Sequence, residues 1–337
     1  MLPFKLVYSE RYLLPLGEHI FQGDKYRLIR ERLIEQHLAD PGDFLAPEPA
    51  TDDDLLLVHS PQYVSKLLDG TLSPREELLM ELPYSPPLFE AFRLHAGGSI
   101  VAAERALQDG LCINLGGGFH HAFPEHGEGF CMLHDFGIAI KSLQKRGRVR
   151  RIMTVDLDVH QGNGTAVIFA NASPKGIAPA PQAGSLTPPL VGGLRPNSGK
   201  EVFTISFHQE NNYPYEKPPS TLDVGLRDGC GDSEYLAWLD NALASSLQQF
   251  TPDLICYVAG ADPFREDQLG GLDLTLDGLR QRDAMVFRAA RSRKIPVMAI
   301  LAGGYALHFE DTITIHCNTV LAAAEVYRAT TSQPTQR

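Results

Sequence analysis

The chain has 337 residues, 43% hydrophobic and 21% charged, enough apolar material for one large α/β domain or two smaller ones. Its 30 Lys plus Arg against 41 Asp plus Glu leave a net charge of −11, which argues against unspecific nucleic-acid binding and suits a cationic substrate without requiring one. No apolar run reaches the ~18 residues of a membrane-spanning helix, and Met1 to Arg11 carries charge where a secretory signal needs an apolar core. The five cysteines (Cys112, Cys131, Cys230, Cys256, Cys317) are scattered, odd in number and without C-x-x-C spacing. They read as buried free thiols in a reducing, cytoplasmic setting.

Residues 24–39 have helical apolar spacing (Leu28, Leu33, Ile34) behind Asp24 as a cap. Leu55 to His59 predicts a short buried strand or turn, followed by a helix from Pro61 to Leu68. The Ala-rich stretch from Ala91 to Gln108 predicts a second helix, ending near Gly110. A repeating order of apolar strand, Gly-rich or acidic loop and helix then begins. The predicted strands are Cys112–Leu115, Ile152–Val155, Val202–Phe207, Leu254–Val258 and Val297–Leu301. Such alternation predicts a three-layer α/β/α fold with a mostly parallel central sheet, whose carboxyl-end loops meet in one crevice. No composition break marks a second domain, so residues 1–329 are expected to form a single domain. Within it, residues 170–200, rich in Pro, Gly, Ala and Ser, predict an irregular loop, and 330–337 a disordered tail.

The most informative stretch is Arg151-Ile-Met-Thr-Val-Asp156-Leu-Asp158-Val-His160-Gln-Gly-Asn163-Gly. In an extended chain Asp156, Asp158 and His160 share one face while Val155, Leu157 and Val159 take the other. Two carboxylates and an imidazole converging on a Gly-rich loop read as half of a metal site, although solvated Asp and a hydrogen-bonded His at a strand end would give the same letters. Other chemistry-bearing residues follow the other strands: Gly116-Gly-Gly-Phe-His120-His121, Ser206-Phe-His208, Ala259-Gly-Ala-Asp262 and Ala302-Gly-Gly-Tyr305.

Taken together with Gly129-Phe130-Cys131, Asp223-Val-Gly-Leu and Leu269-Gly-Gly-Leu272, these motifs resemble, in order and over about residues 15–325, the zinc-dependent histone deacetylase family, which shares its fold with arginase. Gln161-Gly-Asn163, in place of the His-Gly-Asp of other classes, resembles the class IV branch and its bacterial relatives. The resemblance implies Asp158, His160 and Asp262 as metal ligands, three protein groups that leave room for water and substrate. Zinc is the expected ion, and the oxygen-rich set would also accept Fe(II) or Co(II). It pairs His120 with Asp156 and His121 with Asn163. A carboxylate partner favours imidazolium at His120, whereas a neutral amide orients His121 without charging it. His121 is therefore expected to act as the base that takes a proton from the attacking water and returns it to the leaving amine. Tyr305 matches the family's donor to the developing oxyanion.

Gly129, Phe130, Tyr213 and Leu269 match the walls and rim of a narrow acyl-lysine tunnel. A structural potassium ion is implied at the Asp156 carboxylate, the Ser206 hydroxyl and the backbone carbonyls of Asp158, His160 and Phe207. Two departures stand out: His134 where the family commonly has Asn, and the long 170–200 segment, which puts a second cation site in doubt and is expected to shape the pocket mouth or a homodimer or homotetramer contact. The expected partner is an acylated lysine peptide or other acylated amine. Hydrolysis of acetylpolyamines or small amides, and catalytically silent binding of acylated ligands, are the competing readings. An arginase-like ureohydrolase is disfavoured, because Gly162, Pro263 and Phe264 stand where its second metal would need carboxylates. Phosphate cradling by Gly116-Gly-Gly is also disfavoured, since no Gly-Lys-Ser/Thr follows.

Overall fold

The structure is a computed structural model that describes residues 2–170 and 201–328. The predicted tail, and the predicted loop beyond its first residue, lie outside the described residues. Eight strands form one sheet: β1 (Lys5–Val7), β2 (Phe44–Leu45), β3 (Leu111–Asn114), β4 (Ile152–Asp156), β5 (Val202–Gln209), β6 (Leu222–Leu226), β7 (Leu254–Ala259) and β8 (Val297–Leu301). Their order is β2-β1-β3-β8-β7-β4-β5-β6, and every pairing is parallel. The central strands β3, β4, β5, β7 and β8 are buried at every position, as expected of strands covered on both faces. Burying one Val or Ile side chain in such a layer is worth roughly 1.5–3 kcal/mol.

The first five helices are α1 (Lys25–Glu35), α2 (Asp52–Leu55), α3 (Pro61–Asp69), α4 (Pro74–Met80) and α5 (Pro86–Asp109). The next five are α6 (Asp135–Lys145), α7 (Asn163–Ile168), α8 (Asp232–Gln249), α9 (Leu276–Ser292) and α10 (Phe309–Arg328). The boundaries of α5 are written in its sequence. Ser85 accepts from the Leu88 N–H, Pro86 opens the first turn, and Gly110 closes the helix at φ 84°.

The three-layer parallel expectation is borne out, with differences at the edges. Helix α1 stops at Glu35 rather than Ala39, and His37 follows with φ 56°. Asp24 does not cap it; its carboxylate pairs with Arg27 at 2.7 Å. Of the strand or turn expected at Leu55–His59, the structure has the turn, following the end of α2, because Thr51 caps a helix just upstream. Strands β1 and β2 have three and two residues, too few to show a period, and β6 has five with a glycine, Gly225, within it.

The order β3-β8-β7-β4 matters most, because these four neighbours end in the loops that carry His120 and His121, Tyr305, Asp262, and Asp158 with His160. Beneath them the fully buried Arg282 of α9 donates from Nη1 to the carbonyls of Leu157 (3.2 Å) and Gly260 (2.7 Å), tying the β4 and β7 loops together. Its charge is met by Asp283, whose other oxygen accepts from Thr319 at 2.6 Å.

Candidate active site

Asp158, His160 and Asp262 are buried, and one ligand atom from each lies within 4.8 Å of the others. Strand β4 ends at Asp156, but the Asp158 and His160 side chains still turn to the same crevice. Asp158 Oδ1 accepts from the His160 backbone N–H at 3.0 Å, and Asp262 Oδ1 accepts from that of Val159 at 2.8 Å. Asp262 Oδ2 is buried without a hydrogen-bond partner, 3.5 Å from His160 Nδ1. Burial opposes the charge of the His160 imidazole, but Asp158 and Asp262 outweigh it and lift it to about 10. Burial and the neighbouring Asp158 raise the Asp262 carboxyl to about 7. An orphaned carboxylate oxygen in a cluster that holds protons to balance its charge fits a divalent cation, and two carboxylates with one imidazole leave positions open for other ligands.

The His pair sits beside this cluster, ring centroids 4.0 Å apart. His120 Nδ1 is 2.7 Å from Asp156 Oδ2, and His121 Nδ1 is 2.7 Å from Asn163 Oδ1. Burial pushes the His120 imidazole down, but Asp156 and Asp158 overcome it and raise it to about 9. Burial lowers His121 well below its usual value, and His120 and His160 add to the effect. One ring is thus held cationic and its neighbour neutral. The loop that carries them turns through Gly117 and Gly118 at φ 90° and 85°, a region open to glycine. Asp135 Oδ1 secures it, accepting from the Gly118 and Phe119 N–H groups at 3.0 and 2.8 Å.

A cavity of about 200 Å³ opens above, with Phe21, Gly129, Phe130, Tyr213, Leu269 and Tyr305 around it and His120, His121, Asp158 and His160 at its floor. The Tyr305 and Phe130 rings meet edge to face at 6.0 Å, and the Tyr213 ring meets His121 at 4.9 Å. Asp267 sets two of these walls, accepting from the Tyr305 N–H at 2.6 Å and the Leu269 N–H at 2.8 Å. The buried Lys25 ammonium donates to the Ala302 carbonyl at 2.5 Å; burial depresses it to about 8 against the pull of Asp262 and Asp158.

Asp158, His160, both histidines of the pair and the expected tunnel residues therefore line one crevice, and Asp262 is buried against Asp158 and His160 without lining it. Ser206 and Phe207 do not line it. They lie on β5 behind it, Ser206 in register with Asp156 and with its Oγ 3.0 Å from His208 Nδ1. His134 caps α6 by accepting from the Gly137 N–H at 3.0 Å, and its Nε2 is 2.9 Å from Thr165 Oγ1. Sequence reasoning missed Phe21, Lys25, Glu81, Glu128 and Asp267, although Glu128 directly precedes the recognised Gly129-Phe130. The described cysteines are all buried and free, as expected.

The histone deacetylase domain model matches residues 19–320. The chain belongs to the histone deacetylase family. A relative from Picosynechococcus sp., itself uncharacterized, is 37% identical over 96% of this chain and 99% of its own. Histone deacetylase 2 of Arabidopsis thaliana is 30% identical over 85% of this chain and 70% of its own. A probable deacetylase of Methanothermobacter thermautotrophicus is 29% identical over 89% and 85%. Among solved structures, the histone deacetylase homologue from Aquifex aeolicus superposes with a TM-score of 0.74 at 22% identity, covering 97% of this chain and 88% of that one. A homologue complexed with SAHA superposes at 0.73, also at 22% identity, over 99% and 92%. No described helix is long and apolar enough to cross a membrane.

Proposed function

We propose that this deacetylase-family hydrolase removes acyl groups from lysine side chains in a metal-dependent reaction, with zinc as the preferred ion. The observation that carries the reading is the unpartnered, fully buried Asp262 Oδ2 clustered with Asp158 and His160, the latter two at the floor of a cavity that His121 and Tyr305 also line. Asp158, His160 and Asp262 would hold the ion, which when bound acidifies water and polarises an amide carbonyl. His121, neutral and seated on Asn163, accepts a proton during attack and delivers it to the departing amine. His120, kept charged by Asp156, stabilises negative charge as it develops, and the Tyr305 hydroxyl donates to the new oxyanion. Phe130 and Tyr213 flank an extended methylene chain, and Leu269 borders its entrance. Potassium at Asp156, Ser206 and the carbonyls of Asp158, His160 and Phe207 belongs to the same proposal, as do class IV character and a single domain over 1–329.

Glu81 also lines the cavity and favours a second reading, an acetylpolyamine or small acyl amide with a cationic far end. A panel of acetyl-, trifluoroacetyl-, octanoyl- and myristoyl-lysine peptides with acetylputrescine, assayed with zinc and after chelation, tests both. Faster turnover of a peptide supports the first reading, and faster turnover of acetylputrescine the second. Binding without any turnover would leave only a silent acyl-ligand binder.

A further inference from the structure

The Glu128 carboxylate has no part in the mechanism above, yet three side chains converge on it. Its Oε1 accepts from Asn163 Nδ2 at 2.6 Å and from the Tyr213 hydroxyl at 2.7 Å. Its Oε2 lies 3.3 Å from His126 Nε2. Burial works against the charge, but the hydrogen bonds from His126, Tyr213 and Asn163 outweigh it and hold the carboxyl below its ordinary value. An ionised carboxylate only accepts, so Asn163 must turn its amide NH₂ toward Glu128. The Gly164 N–H, 3.0 Å from Asn163 Oδ1, is compatible with that orientation but shares the oxygen with His121, so the 2.6 Å bond to Glu128 is what holds the NH₂ end. Asn163 Oδ1 then faces His121 Nδ1, which must carry the ring proton and leave Nε2 as the basic nitrogen.

We propose that Glu128 is a positioning residue: acting through Asn163, it fixes the tautomer of His121, and with the same oxygen it holds Tyr213 against that ring. His120 meets its carboxylate directly, whereas the carboxylate serving His121 stands one amide further back. The relay sets the proton's position while keeping full negative charge off the ring. Its effect on turnover rests on the proposed role of His121 as base; its effect on the tautomer does not.

The test is ¹⁵N NMR of the His121 ring in metal-free protein, paired with kinetics of the zinc-loaded enzyme. Wild type should show Nδ1–H alone. Glu128→Leu should mix the two tautomers and lower kcat by about tenfold to a hundredfold, the effect of losing one charged hydrogen bond. Glu128→Gln, whose carbonyl can still accept from Asn163 and Tyr213, should restore the tautomer and most of kcat. Tyr213→Phe cuts only the other arm and should raise KM with the tautomer intact.

Should Glu128→Leu fail to fold, Asn163→Asp decides, because it sets two carboxylates against each other. It should lose activity, and the Asn163→Asp/Glu128→Gln double variant should regain at least about tenfold, the charge having moved one link forward. An unmixed tautomer in Glu128→Leu, or no recovery in the double variant, overturns the proposal. A shifted tautomer in a protein that deacylates nothing would uphold the relay and sink the proposed function instead.

Discussion

His121 stands on the neutral amide of Asn163 at 2.7 Å, whereas the adjacent His120 stands on the carboxylate of Asp156 at that same separation. Two histidines on one loop are thereby given opposite charge states. Replacing His121 with Ala should lower kcat by about 10²–10⁴, the usual weight of general acid–base catalysis. His120→Ala should be the milder lesion. Single-turnover rates of both variants, at matched zinc content, check this; near-normal turnover of His121→Ala beside a dead His120→Ala would reverse the assignment.

Tyr305 keeps its backbone on Asp267 and its ring against Phe130, so loss of the hydroxyl alone should leave the wall standing. Tyr305→Phe should fold, bind zinc like wild type and deacylate about 10²–10³ times more slowly. Full activity in that variant would remove the hydroxyl from the reaction.

Asp158 and His160 follow β4 and Asp262 follows β7, so the proposed ion, by joining two loops, should stabilise as well as activate. Chelation should abolish turnover and lower the melting temperature, because an ion at a hundred times its Kd contributes about 2.7 kcal/mol to the folded state. Asp262→Asn should bind zinc in substoichiometric amounts when measured by elemental analysis. Stoichiometric zinc in that variant would contradict the assignment.

Burial pushes the His59 imidazole down to about 4. Its Nδ1 bonds the Phe123 carbonyl, and its Nε2 accepts from the His134 N–H, an acceptance that a second proton would abolish. A folded value below the unfolded one near 6.5 means stabilisation is complete above about pH 6.5 and is lost as pH falls toward 4. The loss should reach roughly 3 kcal/mol. Melting temperature across this window should fall less steeply in His59→Asn than in wild type.

Arg282 and Asp283 form a fully buried ion pair under the ligand loops. Removing one member strands the other, at a cost of about 3–5 kcal/mol. Arg282→Met should show that loss in urea unfolding, together with weaker zinc binding from slackened Leu157 and Gly260 carbonyls. An unmoved midpoint would show the pair to be dispensable.

Asp158 and His160 were legible because alternate positions on a strand end announce a shared face, and a buried apolar strand leads into them. Asp262 was legible only as one member of an ordered set. Tyr213 lies on a loop with little pattern, and only the fold brings its ring to His121. Glu128 was illegible as a participant because its partners Asn163 and Tyr213 stand 35 and 85 residues away, and no local period encodes such a meeting. Arg282 drew no attention in the sequence, because its burial depends on carbonyls of Leu157 and Gly260 from two distant loops.

Gly303 does not take a left-handed φ, yet a single carbon added there would fall 2.1 Å from Asp262 Oδ2 and 2.6 Å from Asp158 Oδ2. The space left by its missing methyl therefore lets the two carboxylates sit together as the proposed ion would require. A one-carbon substitution at this spot, on the cavity's own lining, would push the two carboxylates apart without altering any charge.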